Sequence, residues 1–184
     1  TKIESYGDTL FVVFSTVSQN AQQDKLEFGS SNIFLTDRYI ISVRQSDALC
    51  EKQVASLCEA SPHQVMYGPA YIFYALMNCL VEQYLPAIAH LHERLQDLKQ
   101  NIFTDKFHRQ TLIDLYGLKE ELTNFYLAVV PTKEVTCYLI AHQAVELLEV
   151  IPNEVIPYFR DIQDKVLSTL DIIQSQSEMQ KSAM

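Results

Sequence analysis

VIPYFRDIQDKVLSTLDIIQSQSE (Val155–Glu178) is the stretch on which the reading of the chain turns. At about 100° per residue, Val155, Phe159, Ile162, Val166, Leu170 and Ile173 share one side of a helix. Asp161, Asp164, Ser168, Asp171, Ser175 and Glu178 lie largely opposite, within an arc of roughly 100°. Such a polar stripe ordinarily faces solvent. This one has only Lys165 among its acids, so it lacks i,i+4 ion-pair lacing, and its short Asp and Ser side chains lower helix propensity. Short carboxylates and hydroxyls are also the hard oxygen ligands that Mg²⁺ and Ca²⁺ take, often through retained water. A solvated face and a cation-binding face both remain open on the residues alone.

No Gly or Pro stops this helix before Met184, and a strand begins almost directly after Thr1. Both ends therefore read as cuts in a longer protein. Upstream, everything from Pro69 onward is predicted helical, Pro being well placed at a helix start. Tyr84, Ile88, Leu91, Leu95, Leu98 and Ile102 recur at spacings of four and three, a heptad-like stripe suited to packing on another long helix. Pro86 is expected to kink that helix without ending it. After FTDKFH, a second stripe runs through Leu115, Leu118, Leu122, Phe125 and Val129, with Pro131 expected to kink or break it before the helix resumes. IPNEVIP marks the last break.

The first 45 residues read as β structure. TLFVVFSTV (Thr9–Val17) is rich in β-branched and aromatic residues, and LEFGSSNIFLT and RYIISVRQ form a hairpin. Three strands make a small sheet, expected to need more strands or covering helices from upstream. A short helix capped by Ser46 or Asp47 follows to about Glu59, with Cys50, Val54 and Leu57 inward. The fold class is α+β: a partial α/β/α sandwich with a small antiparallel sheet, a long antiparallel helical hairpin and the start of a long stalk helix. The divisions fall at 1–64, 65–152 and 153–184.

Composition narrows the function classes. The 184 residues are 48% apolar and 20% charged, which is globular. With 14 basic and 23 acidic residues the formal charge is −9, which argues against a nucleic-acid partner. Cys50, Cys58, Cys79 and Cys137 form no CxxC pair and are read as reduced and mostly buried. No apolar run reaches the roughly 18 residues of a membrane span, so the chain itself is read as soluble. Gly7, Gly29, Gly68 and Gly117 sit in no phosphate-cradling loop, and neither GxSxG nor HExxH occurs. His90, Glu93 and Asp97 share a helical face, read as solvated rather than as a zinc site. Cys58 and His63 have no third orienting group. No enzymatic activity is expected.

The stretch from Val155 resembles the stalk-helix start of the CorA family of divalent-cation channels, which carries PYFRDVYDH there. KIESYGDTLFVVF, IFLTDRYIISVRQ, YIFYALMNCLVEQYLPAIAHL and AVVPTKEV are similar to further family segments in the same order. The resemblance implies the cytosolic regulatory domain of a Mg²⁺ channel, with Co²⁺ or Ni²⁺ as other ions. It implies a homopentamer on the cytoplasmic face of the inner membrane, anchored through C-terminal helices beyond this chain. It also places Mg²⁺ sites between subunits, with Asp161 at the stalk aspartate, Asn78 where the family commonly has Asp, and Glu82 at a family acid. A ZntB-like zinc transporter domain is the alternative within the superfamily, and a soluble helical interaction module the alternative outside it.

Overall fold

Four strands build the sheet, one more than the sequence pattern suggested. The computed structural model describes residues 2–20, 24–44, 49–103, 109–141 and 150–181. Strands β1 (Lys2–Tyr6), β2 (Thr9–Asn20), β3 (Lys25–Leu35) and β4 (Ile40–Arg44) form an antiparallel meander in chain order. The extra strand arises because Tyr6 pairs with Thr9 across a two-residue turn. Gly7 takes φ +58 at the first central position, a left-handed conformation that glycine adopts without steric cost. The β3–β4 hairpin is present as expected, from Ser31 opposite Arg44 to Leu35 opposite Ile40. Its loop is organised by Thr36, whose hydroxyl accepts from the Arg38 and Tyr39 backbone N–H groups.

Helices α1 (Leu49–Ala60) and α2 (Pro62–Val65) follow; the expected caps Ser46 and Asp47 lie outside the described residues. Helices α3 (Pro69–Glu82) and α4 (Tyr84–Phe103) meet at Gln83. Pro86 has no N–H to give the Glu82 carbonyl, and the αR backbone at Gln83 carries the chain through as a kink. Their combined length and composition over Pro69–Asn101 would suffice to cross a membrane, which the sequence reading did not anticipate. Yet 56% of that apolar window is buried inside the protein. Helix α5 (Arg109–Ala141) runs unbroken through Pro131. A one-turn 3-10 helix at Asn153–Val155 leads into α6 (Ile156–Lys181).

Cross-helix contacts fix the directions. Arg94 reaches Glu121 and Tyr84 reaches Thr132, so α4 and α5 are antiparallel. Gln163 reaches Cys137 and Gln180 reaches Leu115, so α6 is antiparallel to α5 and parallel to α3–α4. One buried cluster joins Leu10, Val12 and Phe14 of the sheet to both predicted helical stripes and to Phe159, Ile162 and Val166 of α6. Leu98 packs against it as a partly buried member, and the side chain of Ile102 is outside the described set.

Candidate functional site

The N-terminal end of α6 is pinned by rings. Tyr158 stacks on Tyr74 with centroids 5.0 Å apart and meets Tyr71 edge-on at 5.6 Å. Phe159, on the adjoining face, packs on Phe73 at 5.7 Å. Rings in tilted and edge-to-face pairs add about 0.5–1.5 kcal/mol each beyond the area they bury. This packing places the next turn of α6 directly over the next turn of α3.

That turn carries the residues singled out in the sequence. On α3, Tyr74, Asn78 and Glu82 are spaced at i, i+4 and i+8 and so lie in one row. On α6, Asp161 and Lys165 are spaced at i and i+4. Lys165 Nζ donates to Asn78 Oδ1 at 2.6 Å and to Glu82 Oε1 at 3.0 Å. Asn78 Nδ2 donates to the same Glu82 oxygen at 2.9 Å. Asp161 is exposed one turn below. Burial first, then Tyr71, Asp161 and Glu82, hold the Tyr74 phenol above its ordinary pKa, which places both carboxylates in its surroundings. The structure thus brings Asn78 and Glu82 together, with Asp161 one turn before Lys165 on α6, but fills the gap between the helices with an ammonium. Lys165 was visible in the sequence only as an interruption of the acidic stripe.

The rest of that stripe lies as its spacing requires. Asp164, Ser168, Asp171, Ser175 and Glu178 are exposed, while Phe159, Ile162, Val166 and Ile173 are buried. A divalent cation that keeps most of its water needs one or two carboxylates free of other cations. Glu82 does not meet that condition; Asp161 and the exposed acids after it make no ion pair among the described residues. Among the described residues no three His, Cys, Asp or Glu side chains converge as a metal-binding group.

His90 departs from the expected solvated face. Its side chain is only 11% exposed and lies 3.2 Å from Asp24, which takes φ +52 just before β3. Arg94 makes a two-pronged pair with Glu121 at 2.7 and 2.9 Å, and that bond holds the guanidinium above its ordinary pKa. This cluster ties the sheet's first long hairpin to the α4–α5 pair. Cys79 is buried on α3; its hydrogen bond to Cys50, then burial, push the thiol up in pKa and keep it protonated. Cys58 and His63 are not joined by a hydrogen bond among the described residues.

Comparison with known proteins agrees on one family. The family model described as CorA-like Mg²⁺ transporter protein matches residues 1–183. YfjQ of Bacillus subtilis is 21% identical over 97% of this chain and 53% of its own length. The cobalt/magnesium transport protein CorA of Thermotoga maritima is 18% identical over 95% of this chain and 48% of its own. The chain therefore spans about half the length of the curated relatives it matches. The solved CorA magnesium transporter of Methanocaldococcus jannaschii superposes with a TM-score of 0.81 at 14% identity, over all of this chain and 56% of that one. The ZntB cytoplasmic domain of Vibrio parahaemolyticus gives 0.71 at 12% identity, over 96% of this chain and 66% of that one. At such identities these structures speak for the fold alone, and the fold is that of the CorA soluble domain.

Proposed function

The chain belongs to the CorA-like Mg²⁺ transporter family, and from that premise we propose that it is the cytosolic regulatory domain of a homopentameric divalent-cation transporter of the inner membrane. Mg²⁺ is the proposed ion, with Co²⁺ and Ni²⁺ as further substrates. The observation that carries the reading is the long helix α6. It buries one stripe against the rest of the chain and leaves Asp161, Asp164, Ser168, Asp171, Ser175 and Glu178 exposed on the other side, interrupted by Lys165. Short acidic side chains without basic partners weaken a helix unless something outside the chain makes use of them.

In a symmetric assembly such faces from neighbouring copies approach one another, and their carboxylates repel. A shared cation converts that repulsion into attraction. It shifts the population toward the closed arrangement by its differential affinity for it and no further. Asp161 is the proposed ligand from this chain, with Asn78 and Glu82 the flanking pair whose occupant is considered below.

The test is Mg²⁺ uptake by the full-length transporter in liposomes. Asp161→Ala is expected to keep conducting at Mg²⁺ concentrations that close the unmodified protein. Unchanged inhibition by Mg²⁺ in that variant would remove Asp161 from the sensor. Zn²⁺ uptake measured beside Mg²⁺ uptake in the same liposomes decides between magnesium and the ZntB-like zinc alternative, since each predicts a different ion to be carried.

A further inference from the structure

We propose that the Lys165 ammonium is a built-in cation at the α3–α6 junction, holding the place of a divalent ion so that this junction closes without metal. The inference rests on the reading above only in taking the junction for a cation site. Two oxygens from successive turns of α3 converge on one nitrogen of α6, at 2.6 and 3.0 Å. These are donor–acceptor distances suited to an ammonium, which carries three N–H groups and accepts none. The Asn78 amide is oriented for the purpose: its nitrogen donates to Glu82, which turns its oxygen toward Lys165.

Charge leads to the same result. Glu82 and Lys165 cancel, and Asn78 is neutral, so the set already carries no net charge to attract a divalent ion. Mg²⁺ would need near-octahedral oxygen ligands at about 2.0–2.1 Å or through its own waters. Here it would meet one neutral amide, one carboxylate already engaged, and a positive charge between them. The junction therefore does not fit a divalent ion while Lys165 is in place. Side-chain exposures of 40% for Lys165 and 51% for Glu82 leave the ion pair open to solvent and salt. Its consequence lies in which cation the junction accepts rather than in a large share of stability.

Thermal unfolding of the 184-residue chain, with Mg²⁺ varied at constant ionic strength, tests this. The unmodified chain is expected to show no Glu82-dependent Mg²⁺ response. Lys165→Met frees Asn78 and Glu82 beside Asp161, and its unfolding midpoint should rise by about 2–4 °C in millimolar Mg²⁺, as a weak new ligand site requires. That rise should vanish in Lys165→Met/Glu82→Gln. A Mg²⁺ response of the unmodified chain that Glu82→Gln abolishes would overturn the proposal, and so would a Lys165→Met chain with no response. A response that survives Glu82→Gln but disappears in Asp161→Ala belongs to the exposed acidic face and bears on the transport reading. The Glu82-dependent increment in Lys165→Met would still be expected on top of it.

Discussion

The two ends of α6 are attached to the rest of the protein by opposite means. At the N-terminal end, Tyr158 and Phe159 enter a block of rings from α3, and the contact is apolar on both sides. At the C-terminal end, Gln176 and Gln180 are each 2% exposed and donate to the backbone carbonyls of Ile88 and Leu115. Ring contacts are strong but tolerate sliding, because area is buried at neighbouring registers too. A side-chain amide aimed at one carbonyl is weaker and is satisfied in one register only. The first end supplies adhesion and the second fixes position.

Breaking the ring block should give the largest effect. Phe159 is fully buried against Phe73 and Tyr74. Phe159→Ala is expected to lower unfolding free energy by about 3–5 kcal/mol in denaturant titration, the usual cost of an aromatic cavity. Tyr158→Ala, at a half-buried site, should cost clearly less. Equal losses would mean that the block acts as a surface patch rather than as a core.

A middle-sized effect lies between the two ends, at Tyr84. Its ring is buried edge-on to Phe125, and its hydroxyl donates to the Ser15 carbonyl and meets the Thr132 hydroxyl at 3.2 Å. Burial pushes this phenol up to about 12. A folded-state pKa raised above the unfolded value near 10 gives stability that is complete below pH 10 and is lost as pH rises toward 12. The slope for one such group is about 1.4 kcal/mol per pH unit. Tyr84→Phe should remove that part of the alkaline loss while lowering neutral-pH stability by about 1 kcal/mol for the hydroxyl's lost bonds. An alkaline profile unchanged in Tyr84→Phe would assign the loss to other tyrosines.

The apolar stripe of α6 was legible because burial on a helix has a period, and Phe159, Ile162, Val166 and Ile173 keep to it. The heptad-like stripes of α4 and α5 were legible for the same reason. Strand β1 was not separated from β2 because KIESY is mostly polar and carries little pattern of its own, and Gly7 and Asp8 make only a two-residue turn between the two. Pro131 reads as a kink or a break in sequence, and α5 passes through it unbroken: packing along 33 residues outweighs one absent N–H. The partner of Lys165 could not be read at all. Asn78 and Glu82 lie 87 and 83 positions away, and it is the packing of α6 on α3, with Tyr158 against Tyr74, that brings the two rows together. His90 was misplaced for a related reason, since Asp24 reaches it from the sheet. Gln176 and Gln180 were passed over because an apolar-stripe search discards polar residues, even where they occupy stripe positions.

Those two glutamines give the smallest effect and separate position from adhesion most sharply. Gln180 donates at 2.7 Å, whereas Gln176 donates at 3.2 Å and keeps its own Oε1 buried without a hydrogen-bond partner among the described residues. A buried acceptor left unmade costs about 1–3 kcal/mol, more than a long hydrogen bond returns. Gln176→Leu removes that acceptor and fills the space with a side chain of similar size, while the Ile88 carbonyl stays within the α4 backbone ladder. Its stability should be unchanged or higher by up to about 1 kcal/mol, whereas Gln180→Leu should lose about 1 kcal/mol. If adhesion and position are separate, neither change alters the ring block. Hydrogen exchange around Tyr158 should then stay slow in both variants, while the last turns of α6 exchange faster in Gln180→Leu. Faster exchange reaching Tyr158 in that variant would mean that the two ends hold α6 as one unit, and the contrast between them would fail.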